Sequence, residues 1–150
     1  MDGTPAPVLT IQRQFRASPA QVWAAWTDPA ILPRWFGPEG WTCHTKEIDL
    51  REGGLWRFDM HGPDGMVFPN RHRFTLHRPH EEIRFLLDDD GHRWNEPVAV
   101  VLTLEARDGG TLLTQSMTFP TEAARQDAIA MGAEALGQTT LNKLARELGE

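Results

Sequence analysis

Residues 8–38 read VLTIQRQFRASPAQVWAAWTDPAILPRWFGP, and this stretch decides the fold. Leu9, Ile11 and Phe15 alternate with Thr10, Gln12 and Gln14, which predicts a strand over 8–16 with one apolar face. Arg13 falls on that apolar face. It reads either as a strand-end side chain snorkelling outward or as a buried guanidinium paired with a carboxylate. Ser18 then caps a helix, Pro19 fits its first position, and Gln21 completes a capping box. Val22 and Trp26, four apart, lie one above the other. Asp28-Pro29 opens a second short helix by the same logic, with Ile31 and Trp35 on one face and Gly37-Pro38 as its stop. One strand followed by two short helices back to back is a specific arrangement.

Outward from this stretch the pattern turns to strands. Residues 42–50, 55–61, 71–78, 82–88, 98–106 and 111–119 each read as one, separated by turns such as Gly53-Gly54, Gly62-Pro63-Asp64-Gly65 and Asp108-Gly109-Gly110. Pro69-Asn70 reads as a break before the fourth, and Asp88-Asp89-Asp90-Gly91 as a solvated turn. The sheet expected is antiparallel, with six or seven strands. No strand–helix alternation appears, which disfavours a doubly wound nucleotide-binding fold. Residues 122–148 predict one long helix with Ile129, Ala133, Leu136, Leu141, Leu144 and Leu148 as its apolar stripe. Its first half is rich in Ala and Gly, which permits close approach to the sheet or leaves space beside it. One helix cannot cover a flat sheet of this size. The solution is an α+β domain over 8–150, preceded by a flexible arm over 1–7, in which a curved sheet grips the helix and leaves room for a cavity.

Composition narrows the function. The 150 residues are 40% apolar and 24% charged, which suits one globular domain. A net charge of −6 argues against nucleic acid or an anionic membrane as a general partner. Cys43 is the single cysteine, so no internal disulfide forms; with no signal-like or spanning segment, a cytoplasmic setting is expected. Six Trp and seven Phe, with no Tyr, imply a wide apolar surface.

Several segments, in order, resemble the activator of Hsp90 ATPase homologue 1-like (AHSA1-like) family of the START-like, birch-pollen-allergen-like (SRPBCC) superfamily. They are Arg13-Gln14-Phe15, Pro19-Ala20-Gln21-Val22-Trp23, Ala25-Trp26-Thr27-Asp28-Pro29 and Trp35-Phe36-Gly37-Pro38. Residues 49–58 (DLREGGLWRF), Gly62-Pro63-Asp64-Gly65, Phe68-Pro69-Asn70, residues 79–83 (PHEEI), Gly110-Thr111 and Phe119 follow, and residues 137–145 (GQTTLNKLA) close the match. The resemblance covers roughly residues 10–148 and implies the helix-grip fold. Its relatives include lipid carriers, cyclases, hormone receptors and chaperone activators, so fold alone does not set function. Two departures matter. Trp35-Phe36 stands where paired tryptophans are usual, which loses one indole N–H, and the absence of Tyr excludes a phenol anchor.

Trp35, Trp56, Phe58, Met60, Phe74, Phe85 and Met117 are candidates for the wall of a cavity, or equally for ordinary core. His72, inward if Phe74 is inward, is the best candidate to orient a ligand or act as acid or base, with Arg13 as a second polar anchor; the plainer alternative for His72 is a hydrogen-bonded edge histidine. No zinc spacing, nucleophile elbow or phosphate loop appears, so no catalytic residue, metal or cofactor is expected. The leading expectation is non-enzymatic binding of a small hydrophobic or aromatic ligand in an internal cavity. A protein-interaction role resembling that of the chaperone activators is the alternative, and a cyclase- or hydrolase-like enzyme using the same cavity is the third. Tryptophans on an outer face would also suit a homodimer.

Overall fold

Alternating apolar residues set most of the strand bounds in the computed structural model, which describes residues 6–91, 93–94 and 96–150. The chain runs β1 (Val8–Phe15), α1 (Pro19–Thr27), α2 (Leu32–Trp35), β2 (Thr42–Ile48), β3 (Leu55–His61) and β4 (Val67–Arg78). It continues through β5 (Glu82–Asp88), β6 (Val98–Arg107) and β7 (Gly110–Thr118), then α3 (Glu122–Ala130) and α4 (Ala133–Glu147). The seven strands form one sheet in the order β1-β7-β6-β5-β4-β3-β2, antiparallel throughout. This is the expected α+β helix-grip architecture. Residues 1–5 of the expected arm lie outside the described residues, while the Pro7 carbonyl already accepts from Phe119 N–H at 2.9 Å.

Local chemistry explains the first helix. Ser18 Oγ accepts from Gln21 N–H at 3.2 Å, and Gln21 Oε1 accepts from Ser18 N–H at 2.9 Å, so the capping box is complete. The second helix starts at Leu32, not at Pro29. A helix begun at Pro29 would carry Pro33 in its interior, where the missing N–H and the ring clash break it. The chain instead makes a turn, with Asp28 Oδ1 accepting from Ala30 N–H at 2.8 Å, and restarts with Pro33 in the first turn.

Two further expectations are corrected. β4 begins at Val67 and runs through Pro69, which had read as a break. Pro69 pairs only with Asp59 of β3, because β5 joins β4 no earlier than the Arg71–Asp88 pair; the missing N–H faces no ladder there. The single long helix is two helices. Gly132 adopts φ +84° between them, a left-handed conformation that ends α3 and reorients α4. Only the C-terminal half of the expected stripe is gripped: Leu141 and Leu144 are buried and Leu148 partly so, with Ala145 buried beside them, whereas Ile129 and Leu136 are exposed. Gly137 allows the grip, since a Cβ there would lie 2.8 Å from Ile11 Cδ1 on β1.

The core sits between α1, α2, α4 and the inner sheet face. Val98, Val100, Leu102 and Leu104 of β6 all point into it. Trp26 and Trp35 meet edge to face at 4.8 Å, and Trp35 Nε1 donates to Ala25 O at 3.0 Å. Each such side chain contributes roughly 1.5–3 kcal/mol by leaving water. Trp26 Nε1 is buried with no hydrogen-bond partner among the described residues, which costs about 1–3 kcal/mol against that gain.

The opposite face carries a charged network where a solvated acidic turn was expected. Asp88 is buried and accepts from Arg71 at 2.8 and 3.0 Å and from Arg73 at 3.3 Å. Asp90 accepts from Arg57 at 3.0 Å. Burial pushes the Asp88 carboxyl up, but the hydrogen bonds from Arg71 and the charges around it bring it below its usual range. The His- and Arg-rich segment 70–78 supplies Arg71 and Arg73 on one face and His72 on the other, and β3 supplies Arg57.

Candidate functional site

The aromatic candidates converge, but on each other. Trp56, Phe58, Phe74 and Phe85 are buried, and so is Trp35. Trp56 and Phe58, two apart on β3, stack at 3.7 Å. His72 lies flat on Phe85 at 4.3 Å and edge-on to Trp56, Phe58 and Phe36 at 5.2–5.4 Å. Phe36, the position of the lost indole, meets Trp56, Phe58 and His72 in T-shaped contacts, which a plain hydrocarbon ring makes without a polar partner. Met60 and Met117 are partly buried against this cluster.

His72 therefore stands on an interior strand, not at an edge, and is 2% exposed. Burial pushes its pKa down to about 3, against a smaller opposing pull from Asp88 across the sheet. A neutral imidazole packed between rings is a poor proton carrier near neutrality. Arg13 is half-buried and donates to Asn142 Oδ1 of α4, with its guanidinium 5.6 Å from the Phe15 ring centre. Its partner is an amide, where a carboxylate had been one expectation. Cys43 donates to Phe36 O at 3.3 Å; burial pushes its thiol up to about 12, with Lys143 pulling the other way, so it is an inert thiol.

The open space lies elsewhere. A cavity of about 620 Å³ opens between the mouth of the sheet and the α3–α4 break. Trp94, Glu96 and Val98 line it where the chain enters β6, and Phe119-Pro120 line it where the chain leaves β7. Ala124, Asp127 and Ala128 come from one face of α3, and Met131, its C-cap residue, continues that spacing of three and four. Ala133 and Leu136 of α4 complete the wall. None of the nine candidate residues named from the sequence is among these. The signal was the Ala-rich start of the C-terminal helix: Ala124, Ala128 and Ala133 leave the room that larger residues would fill.

The mouth is apolar and open. Met131 is 79% exposed, Trp94 48% and Leu136 42%. Asp89 positions the rim by accepting from the backbone N–H groups of Arg93 at 2.6 Å and Trp94 at 3.2 Å. α3 buries no side chain in the core; Thr121 caps it, accepting from Ala124 N–H at 3.0 Å, and Arg125 ties it to Val8 O at 2.8 Å. A second cleft of about 350 Å³ lies beside Arg34, Lys143 and Arg146, but Glu147 and Glu39 pair with the two arginines and Lys143 donates to Trp41 O at 3.0 Å. At the β3–β4 turn Met66, Val67 and Phe68 are exposed, and Phe68 meets Trp41 at 5.6 Å. The strand register brings this turn to the same end of the sheet as the cavity. Among the described residues no three His, Cys, Asp or Glu side chains gather as metal ligands, and no helix is long and apolar enough to cross a membrane.

Comparison with known proteins agrees with this architecture. The family model described as activator of Hsp90 ATPase homolog 1-like protein matches residues 16–149. A crystallised protein from Mycobacterium smegmatis is 28% identical, with 96% of this chain and 92% of that one covered and a TM-score of 0.84. One from Rhodobacter sphaeroides is 29% identical over 98% and 96%, with a TM-score of 0.82. The AHSA1 protein of Silicibacter pomeroyi is 26% identical over 95% and 97%, with a TM-score of 0.77. No curated protein matches the sequence.

Proposed function

The chain belongs to the activator of Hsp90 ATPase homolog 1-like family, and from that premise we propose that it is a non-enzymatic module binding a small, mainly apolar ligand between α3, α4 and the mouth of the sheet. The observation that carries this reading is the cavity of about 620 Å³, within the 300–1,000 Å³ typical of small-molecule sites. Its walls are mostly apolar, among them three alanines, Val98, Phe119 and Leu136, so most of the affinity would come from apolar area removed from water, about 25 cal/mol per Å² before the entropic costs of binding. The flat ring of Trp94 at the mouth suits an aromatic or extended alkyl body.

Filling the cavity from within tests it. Ala128→Phe places a ring where the ligand would sit. Native mass spectrometry of protein purified from its own host should show a small-molecule adduct, lost on denaturation, on the wild type and not on the variant. Circular dichroism should be the same for both. An adduct kept by the variant would move the ligand away from this cavity.

The protein-interaction reading is favoured by one observation, the exposed Met66, Val67 and Phe68 beside Trp41. Contiguous apolar surface of this kind marks contact sites. Phe68→Asp should then abolish association with a protein partner and leave small-molecule uptake intact. The enzyme reading has less to draw on, since the described lining carries no His, Ser or Cys and offers only Glu96 and Asp127 as acid–base groups.

A further inference from the structure

The cavity carries a sign as well as a size. Its described lining holds two ionisable side chains, Glu96 and Asp127, and both are carboxylates. Neither is in an ion pair with a described residue, and no described Lys or Arg lines the space. Arg125, on the same helix as Asp127, is spent on Val8 O and Glu122. Trp94 adds an exposed indole at the mouth, on a loop that Asp89 holds by its backbone N–H groups. An indole and two carboxylates around one apolar pocket are the chemistry that receives an organic cation. A ligand carboxylate or phosphate would meet like charge from Glu96 and Asp127 and find no cation in the described lining.

We propose that the ligand is a cationic amphiphile: an apolar body that enters between α3 and β6, carrying one ammonium or related nitrogen cation held at the mouth by Glu96, Asp127 and the face of Trp94. This rests on the binding-module reading above and extends it to a ligand class. Carboxylate amphiphiles such as fatty acids are excluded as preferred cargo on the same ground. The protein's overall charge of −6 also attracts cations, so the test must separate the local pair from the global field.

Three probes of one chain length do so: octyltrimethylammonium, octanol and octanoate, each titrated below micelle-forming concentration and followed by ligand-observed NMR. The wild type should bind the cation roughly tenfold or more tightly than octanoate, with octanol between them. The double variant Glu96→Gln with Asp127→Asn should bring cation and anion close together while octanol binding is unchanged. Trp94→Leu should lower cation affinity more than octanol affinity. If octanol binds but the cation holds no advantage, or if the advantage survives in the double variant, the cationic assignment is wrong and the binding cavity stands. If none of the three binds, the cavity reading falls with it.

Discussion

At the scale of single residues, His72 shows how position converts a versatile side chain into core. Its pKa of about 3 lies well below the value near 6.5 of an unfolded chain. The unfolded state therefore takes up a proton that the native state refuses as pH falls from about 6.5 towards about 3. Stability is fully present above that window and declines through it, by about 1.4 kcal/mol per pH unit where the difference is one proton. His77, half-buried beside Trp23 and Phe74, is lowered by burial too and adds to the same slope. Asp88 and Asp90, held low by their arginines, are lost only further into acid. Between pH 6 and 5 the slope belongs to the histidines. Urea unfolding of His72→Leu over that interval should show roughly one proton less of pH dependence than the wild type. An unchanged slope would mean that His72 is protonated in the native state.

At the scale of elements, the break between α3 and α4 decides where the open space is. Gly132 has no heavy atom within 4 Å of where a Cβ would stand. Gly132→Ala therefore meets no clash and suffers only the left-handed backbone conformation, at about 1 kcal/mol. Chemical denaturation should show that loss, and octanol uptake should weaken because Ala favours one continuous helix that lifts α3 off the mouth. A variant more stable than the wild type would show that the break is not what the chain prefers. The bulge in β4 works at the same scale. Phe74 pairs with Phe85 and Leu76 with Arg84, leaving Thr75 extra, so His77 returns to the inner face on which Phe74 lies. Strict alternation along residues 71–78 puts His77 outside, and nothing in the local residue types marks the bulge.

At the scale of the whole molecule, the cavity joins parts that are distant in sequence: the entry to β6, the exit of β7 and the break between two helices. A ligand there would bind only the folded chain. At 100 times its dissociation constant it adds about 2.7 kcal/mol to stability. For a domain of this size that is roughly 5–10 °C in Tm. A thermal melt with saturating cationic probe should show this rise for the wild type and none for Ala128→Phe. Equal rises in both would place the probe elsewhere on the surface.

The sequence by itself determined what is local: the capping box at Ser18, the turns, the alternation that makes Val98, Val100, Leu102 and Leu104 one face, and the family resemblance those features add up to. It also carried the Ala-rich helix start that made space available. Only the tertiary structure decided how that space is used. Trp56, Phe58, His72, Phe74 and Phe85 look in sequence like either a cavity wall or a core, because the same apolar residues build both. Which they become depends on what faces them, and here Phe36 and Trp35 fill the gap. Ala124 and Ala128 are faced by Trp94, Val98 and Phe119, which do not reach them, and there the chain stays open.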